Sequence, residues 1–231
     1  MKTKNLLTNC WSKYSTWENS RSLRRLYQKR CRQEENEMDC HRQAAEILSP
    51  YIKRGDSILD VGCGSGYFFH SISKRFSKLT YWGLDPSKSL LQIGKKELPK
   101  YGLPASHLIC ARMEDCEAEA DHVFCINVLT YLENFQKVLE RCLISARKTV
   151  LIRESIWAKP SKYLYVMDEY LDRNKRLRVH LNTYDQRELS SLGRELGFRS
   201  KLIVDQRSGG KPEKSIGYPH HWSFMMFQRK K

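Results

Sequence analysis

From residue 57 onward the chain alternates between short apolar runs and longer segments whose apolar residues recur every three or four positions. The first kind of run fits a buried strand, the second an amphipathic helix. Strands are predicted at 57–61 (Ser-Ile-Leu-Asp-Val), 79–84, 106–111, 121–127 and 149–153 (Thr-Val-Leu-Ile-Arg). Between them the spacing predicts helices at 67–76, through Phe68, Phe69, Ile72 and Phe76, from a Ser87 cap to Leu98, and at 135–145. Pro99, Gly102 and Pro104 break the second of these. Farther on, a polar, aromatic-rich stretch at 155–183 leads to a helix at 185–196. A strand at 199–206, a loop with Gly209, Gly210 and Pro212, and a last strand at 222–228 follow. Strand and helix alternating through short connections predict an α/β fold. Its sheet would have seven strands, mostly parallel, with helices on both faces and an antiparallel hairpin at one edge.

The first forty residues read differently. Trp11, Tyr14, Trp17, Leu23, Leu26 and Tyr27 lie among basic residues at mixed spacing, which fits one or two short helices over 11–31. A further helix is predicted over 32–52, with Met38, Ala44, Ala45, Ile47 and Leu48 on its apolar face. The expected organisation is a helical cap at 1–40 and one α/β domain at 41–231, in which 155–183 is an insertion covering the substrate.

Chemistry concentrates in Ile58-Leu-Asp-Val-Gly-Cys-Gly-Ser-Gly66. A strand running through a glycine-rich turn into a helix sets backbone amides and a helix N-terminus beside a ligand. The spacing is G-x-G-x-G, not the G-x-G-x-x-G of a dinucleotide site, and Asp60 stands just before the first glycine. A carboxylate there repels a pyrophosphate and attracts an ammonium or sulfonium. At an effective dielectric of about 20, opposite charges ~4 Å apart attract by ~4 kcal/mol before desolvation. Asp85, ending the second strand, can accept both hydroxyls of a ribose.

On these residues the chain resembles the class I S-adenosylmethionine-dependent methyltransferases over roughly residues 40–229. The resemblance implies a Rossmann-like methyltransferase sheet and S-adenosylmethionine as cofactor. It implies cofactor contacts from Asp60, Gly62, Cys63, Gly64, Gly66, Asp85 and Pro86. Arg112 stands where many members carry an acid beside adenine, so Met113 and nearby backbone take that contact. Asn127 and Val128 would lie near the methionine moiety, and Tyr131 would face the transferred methyl.

Composition narrows the remaining choices. At 231 residues, 40% hydrophobic and 29% charged, the chain suits one soluble globular domain. No apolar run is long enough to span a bilayer, and the N-terminus lacks a secretory signal pattern, so no membrane insertion and a cytoplasmic location are expected. The eight cysteines form no C-x-x-C pair and no zinc spacing, so reduced thiols and no metal are expected. A net charge of +15 favours anionic partners. Arg21, Arg24, Arg25, Lys29, Arg30 and Arg32 cluster in the cap as a candidate RNA-docking surface.

No acceptor announces itself. Asn127 opens Asn-Val-Leu-Thr, not the Asn/Asp-Pro-Pro-aromatic run associated with nucleobase amino methylation. Neither a Pro-Cys nucleophile nor a spaced acidic cluster for magnesium follows. Candidate substrate groups are Tyr14, Trp17, Tyr131, Glu154, Trp157, Tyr163, Tyr165, Tyr170, His180, His220 and His221. His180 or His221 could act as general base, since imidazole titrates near neutral pH. The favoured reading is methyl transfer to oxygen, nitrogen or carbon of a small molecule. An RNA or protein methyltransferase, and a cofactor-binding regulator without turnover, are the alternatives.

Overall fold

The computed structural model describes residues 2–3, 15–168, 172 and 175–230. Trp11 and Tyr14 of the cap, Cys10, and Tyr170 lie outside the described residues. Seven strands make the main sheet: β1 (Ser57–Val61), β2 (Thr80–Asp85), β3 (Leu108–Cys110), β4 (Ala120–Ile126), β5 (Ala146–Trp157), β6 (Phe198–Val204) and β7 (Trp222–Arg229). Their order is β6-β7-β5-β4-β1-β2-β3. The five from β3 to β5 run parallel, while β7 is antiparallel to both β5 and β6. An eighth, two-residue strand, Tyr184–Asp185, pairs in parallel with the carboxyl end of β5.

Burial explains the strand composition. β1 lies between β2 and β4, and Ile58, Leu59 and Val61 are all buried, so both faces of its pleat are apolar. In β7 the pattern has a period of two: Phe224 and Met226 join one core, Met225 and Phe227 the other. One core packs the sheet against α3 (Asp39–Leu48), α4 (Phe69–Arg75) and α5 (Lys88–Glu97), through Ala44, Leu48, Ile72 and Leu91. The opposite core takes α6 (Gln136–Ser145) and α7 (Gln186–Glu195), through Leu139, Leu143 and Leu189. No disulfide joins the described cysteines, and no described helix is long and apolar enough to cross a membrane.

Three elements depart from the pattern reading. The helix expected over 32–52 is only α3, at Asp39–Leu48. Gln33 turns the chain in a left-handed conformation (φ 58°), and 33–37 is a polar run with no apolar side to bury. β3 covers only Leu108–Cys110, because Pro104 starts a tight 3-10 turn at Ala105–His107. β5 extends on both sides of 149–153 and carries the chain to Trp157, into the segment expected to be an insertion.

The N-terminal segment forms α1 (Thr16–Asn19) and α2 (Arg21–Cys31), which lie against α5. Ser87 Oγ donates to Glu18 Oε2 at 2.6 Å, tying α1 to the α5 cap. At the far end Arg32 Nη2 donates to Glu97 Oε1 at 2.9 Å, and Lys100 donates to the other oxygen at 2.8 Å. These two cations hold the Glu97 carboxyl down to about 2.

One ion pair inside the sheet supports the edge where the strands end. Arg153 on β5 donates to Asp205 Oδ1 at 2.7 Å, and both side chains are buried. The same guanidinium donates to Asn127 Oδ1 and lies over the Trp222 ring at 4.6 Å. Asp205→Ala is expected to destabilise the protein by about 3 kcal/mol, because it strands a buried cation. Asp205→Leu combined with Arg153→Met should lose less. Urea denaturation of the three proteins compares them.

Candidate functional site

The crevice lies at the carboxyl ends of β1, β2 and β4, where open parallel sheets bind ligands. The glycine turn between β1 and α4 is anchored to β2, with Gly62 and Cys63 N–H groups donating to Leu84 O at 2.7 and 3.2 Å. Gly64 has φ 59°, and a Cβ there would come within 2.4 Å of the Tyr27 ring. The position therefore needs glycine twice over, for its torsion and for the approach of α2. A Cβ on Gly62 would meet Val128 at 2.3 Å, so the turn and the loop after β4 also touch without spacers. Gly66 points elsewhere: it packs beside Leu108 and does not line the crevice.

Two carboxylates face this turn from adjacent strands. Asp60 is buried and accepts a hydrogen bond from the Tyr81 hydroxyl. Asp85 is buried too: its Oδ2 accepts from Gly64 N at 2.8 Å and its Oδ1 from Ser87 N at 2.7 Å. Burial pushes each carboxyl up to about 7, against the opposing pull of those hydrogen bonds. Asp85 also feels the negative Glu18, and Asp60 feels Asp85.

The loop after β4 forms the third wall. Asn127 takes a left-handed conformation (φ 56°) that turns the chain out of the strand. Glu154, fully buried on β5, then clamps the next three backbone amides. Its Oε1 accepts from Val128 N and Leu129 N at 2.9 Å each, and its Oε2 from Thr130 N at 2.8 Å. Burial raises this carboxyl to about 7 as well. With both oxygens engaged, Glu154 is a scaffold for the loop. The loop presents Tyr131, whose hydroxyl burial pushes up to about 12 and whose ring meets Trp17 of α1 edge-on at 5.0 Å.

Two connected cavities result. An inner chamber of about 290 Å³ is lined by Asp60, Gly62, Cys63, Gly64, Asp85 and Pro86, with Asn127, Val128 and Tyr131 opposite. An outer cavity of about 580 Å³ shares Gly62, Pro86, Val128 and Tyr131 with it and adds Arg112, Met113 and His180. His180 stacks on Tyr165 at 4.4 Å, on a short hairpin of Tyr165–Met167 and Arg178–His180. His221 lies outside both linings, beside Trp157 at 5.5 Å. His220 is buried and stacks on Trp222 at 4.7 Å.

The roof of the inner chamber was not legible in the motifs. It consists of Trp17, Leu23, Leu26, Tyr27 and Arg30 from the cap, joined by His41 from α3. Arg30 is the one Lys or Arg among the described residues of that lining, and it donates to Tyr67 Oη at 3.0 Å. The sequence placed Arg30 in a basic docking cluster. In the structure Arg24 donates to Glu18 O, Arg30 turns inward and Arg32 binds Glu97. With Lys29 paired to Glu35 at 3.4 Å, four of the six side chains of that cluster are thus committed to contacts within the protein. A donor bearing an ammonium, a sulfonium, a ribose and a carboxylate fits this set. The acidic pair suits the cationic groups and ribose hydroxyls, and Arg30 suits the carboxylate. No group of three or more metal-ligating side chains occurs among the described residues.

Comparison with known proteins agrees with this geometry. Residues 59–148 match a family model described as a methyltransferase domain. Over 165 residues the chain is 27% identical to an uncharacterised protein of Methanocaldococcus jannaschii, covering 68% of this chain and 44% of that one. Over 92 residues it is 30% identical to a ubiquinone biosynthesis O-methyltransferase of Chromobacterium violaceum, covering 38% of each. The matches thus span less than half the length of these curated relatives. The crystal structure of magnesium protoporphyrin IX methyltransferase from Synechocystis, with bound S-adenosylmethionine, has a TM-score of 0.62 at 11% identity. That likeness covers 96% of this chain and 100% of the other.

Residues 59–148 thus match a methyltransferase domain, and the described fold is that of the S-adenosylmethionine-bound methyltransferase it resembles.

The raised carboxyls give a pH signature. In the unfolded chain Asp60 ionises near the ordinary carboxylate range, and in the fold near 7. Its protonated form is the one the empty fold prefers, so this contribution is present at low pH and lost as pH rises through about 7. Asp60→Asn should therefore raise the melting temperature of the donor-free protein, more at pH 8 than at pH 5. Donor affinity has the opposite sign. It should increase between about pH 6 and pH 8 as the carboxylates ionise, with proton release seen by calorimetry in buffers of different ionisation enthalpy.

Proposed function

We propose that this protein transfers the methyl group of S-adenosylmethionine to a small-molecule acceptor. The observation that carries this reading is the roofed inner chamber. Its floor holds two buried carboxylates for a cationic donor, and its roof is the protein's own N-terminal helices. A chamber of about 290 Å³ beneath Tyr27 and Trp17 has room for part of a small molecule beside the donor, and none for a folded domain or a duplex. Relatives named for ubiquinone biosynthesis and for magnesium protoporphyrin IX support an acceptor of that kind.

The donor supplies an electrophilic methyl carbon and its own leaving group, so the protein's part is alignment and exclusion of water. Asp60 and Asp85 hold the donor's cationic and ribose groups, and Arg30 its carboxylate. Met113, with Arg112 beside it, lines the outer cavity where the base would rest. Glu154 keeps the Val128–Tyr131 turn from moving, and Tyr131 walls the reacting end.

Asp60→Ala and Asp85→Ala are each expected to weaken donor binding tenfold or more, at least about 1.4 kcal/mol, by calorimetry. Tritiated methyl from S-adenosylmethionine should appear in the small-metabolite fraction of a cell extract incubated with the protein. Label found only in RNA or only in protein would overturn the small-molecule reading.

A further inference from the structure

A third cavity adjoins the inner chamber on the side away from the outer one. It is a cleft of about 470 Å³ between α4 and the 33–38 loop that links α2 to α3. Arg30, Met38, His41 and Tyr67 line both it and the inner chamber, so these four side chains form the partition. The three cavities thus lie in a row. Asp60, Asp85 and Met113, which suit the donor, line only the first two, while Arg30 lines both the chamber and the cleft.

The partition is built around one unoccupied polar group. Tyr67 Oη accepts from Arg30 and donates to Met38 Sδ, each at 3.0 Å, which uses three of the four side chains on one another. His41 is the exception. It is 7% exposed, its ring packs on Phe68 at 4.4 Å and Tyr67 at 4.9 Å, and neither ring nitrogen is hydrogen-bonded among the described residues. Buried polar groups are normally satisfied, so an imidazole left open between two cavities points to a ligand that completes it. Burial, helped by the nearby Arg30, keeps the ring neutral by pulling it down to about 3. A neutral imidazole offers one donor and one acceptor.

The cleft itself carries net positive charge. Arg30 and Lys74 line it, while Glu37 is held by Arg75 at 2.6 Å and Glu35 by Lys29 at 3.4 Å, and the rest of the lining includes the amides of Gln33 and Asn36 and the hydroxyls of Ser71 and Ser73. Such a surface suits a hydroxyl-bearing molecule that also carries negative charge, as the overall charge of +15 suggests.

We propose that this cleft is the acceptor site, that it takes an anionic, hydroxylated small molecule, and that His41 hydrogen-bonds and orients the acceptor's reacting group at the partition. This rests on the methyl-transfer reading and adds where and how the acceptor enters. His41, rather than His180 or His221, is then the imidazole that meets the substrate.

The test needs no knowledge of the acceptor. Diethyl pyrocarbonate carbethoxylates neutral, reachable imidazoles, and mass spectrometry locates the adduct. Protein saturated with S-adenosylhomocysteine, checked by calorimetry, should still be modified at His41, because the cleft stays open when the donor site is filled. Asn36→Trp and Ser73→Trp, at exposed positions on the two sides of the cleft, should slow that modification at least about tenfold by closing the pocket, with S-adenosylhomocysteine affinity unchanged. The same two variants should lose tritium transfer to the small-metabolite fraction while keeping donor affinity, and His41→Gln should lose transfer as well. Protection of His41 by S-adenosylhomocysteine alone, or wild-type labelling and transfer in both tryptophan variants, overturns the proposal. Failure to bind S-adenosylhomocysteine would instead defeat the underlying cofactor reading, and calorimetry shows which has failed.

Discussion

The structure is organised around two carboxylates kept out of water at the ends of neighbouring strands. Asp60 and Asp85 are held by a phenol and by two backbone amides, none of which carries a full charge. Such groups are costly to ionise until a cation arrives, and the fold accepts that cost at its most rigid place. The glycine turn brings backbone close to them, α2 closes over them, and Arg30 sets a positive group across the chamber rather than beside them. Had Arg30 paired with either aspartate, the attraction for a sulfonium would have been cancelled. Separation of the charges leaves the acidic pair without a cation of its own in the chamber.

Glu154 shows that similar burial serves a different end. Its carboxyl is raised as far as those of the aspartates, yet three backbone amides occupy it. A perturbed titration by itself does not separate a ligand-facing acid from a structural one; the chamber lining does, since Asp60 and Asp85 line the inner chamber and Glu154 lines neither cavity. The Arg153–Asp205 pair extends this scaffold from β5 to the segment after β6, and through Asn127 it reaches the strand end where the loop begins.

Much of this was legible in the chain, and the limits are physical. The sheet could be read because the middles of β1, β4 and β5 (Ile58–Leu59, Val123–Cys125 and Val150–Ile152) are buried on both faces and apolar. The glycine turn and Asp60 were legible because their chemistry is local, Asp60 to Gly66 spanning seven positions, and Asp85 because it ends the second apolar run. The roof was not. Tyr27, Arg30 and His41 meet the glycine turn only through tertiary packing, and their spacing follows helices whose apolar faces are short. The helix drawn through 32–52 failed for the same reason, since Arg32 to Glu37 are helix-compatible one by one but have nothing to pack against. Histidines were the least readable. His180 lines the outer cavity, His221 does not reach either chamber, and His41, passed over as part of an amphipathic helix, faces the inner one.

The place of β7 bears on how the molecule is made. It is the last of the seven strands to leave the ribosome, yet it is seated between β5 and β6 and not at the rim. Until it inserts, β5 shows an unpaired margin along Val150, Leu151 and Ile152, a template for pairing with other chains. A nascent chain stalled shortly before residue 222 would therefore hold a finished cofactor turn on an unfinished sheet, and would be prone to aggregate despite its strongly positive charge.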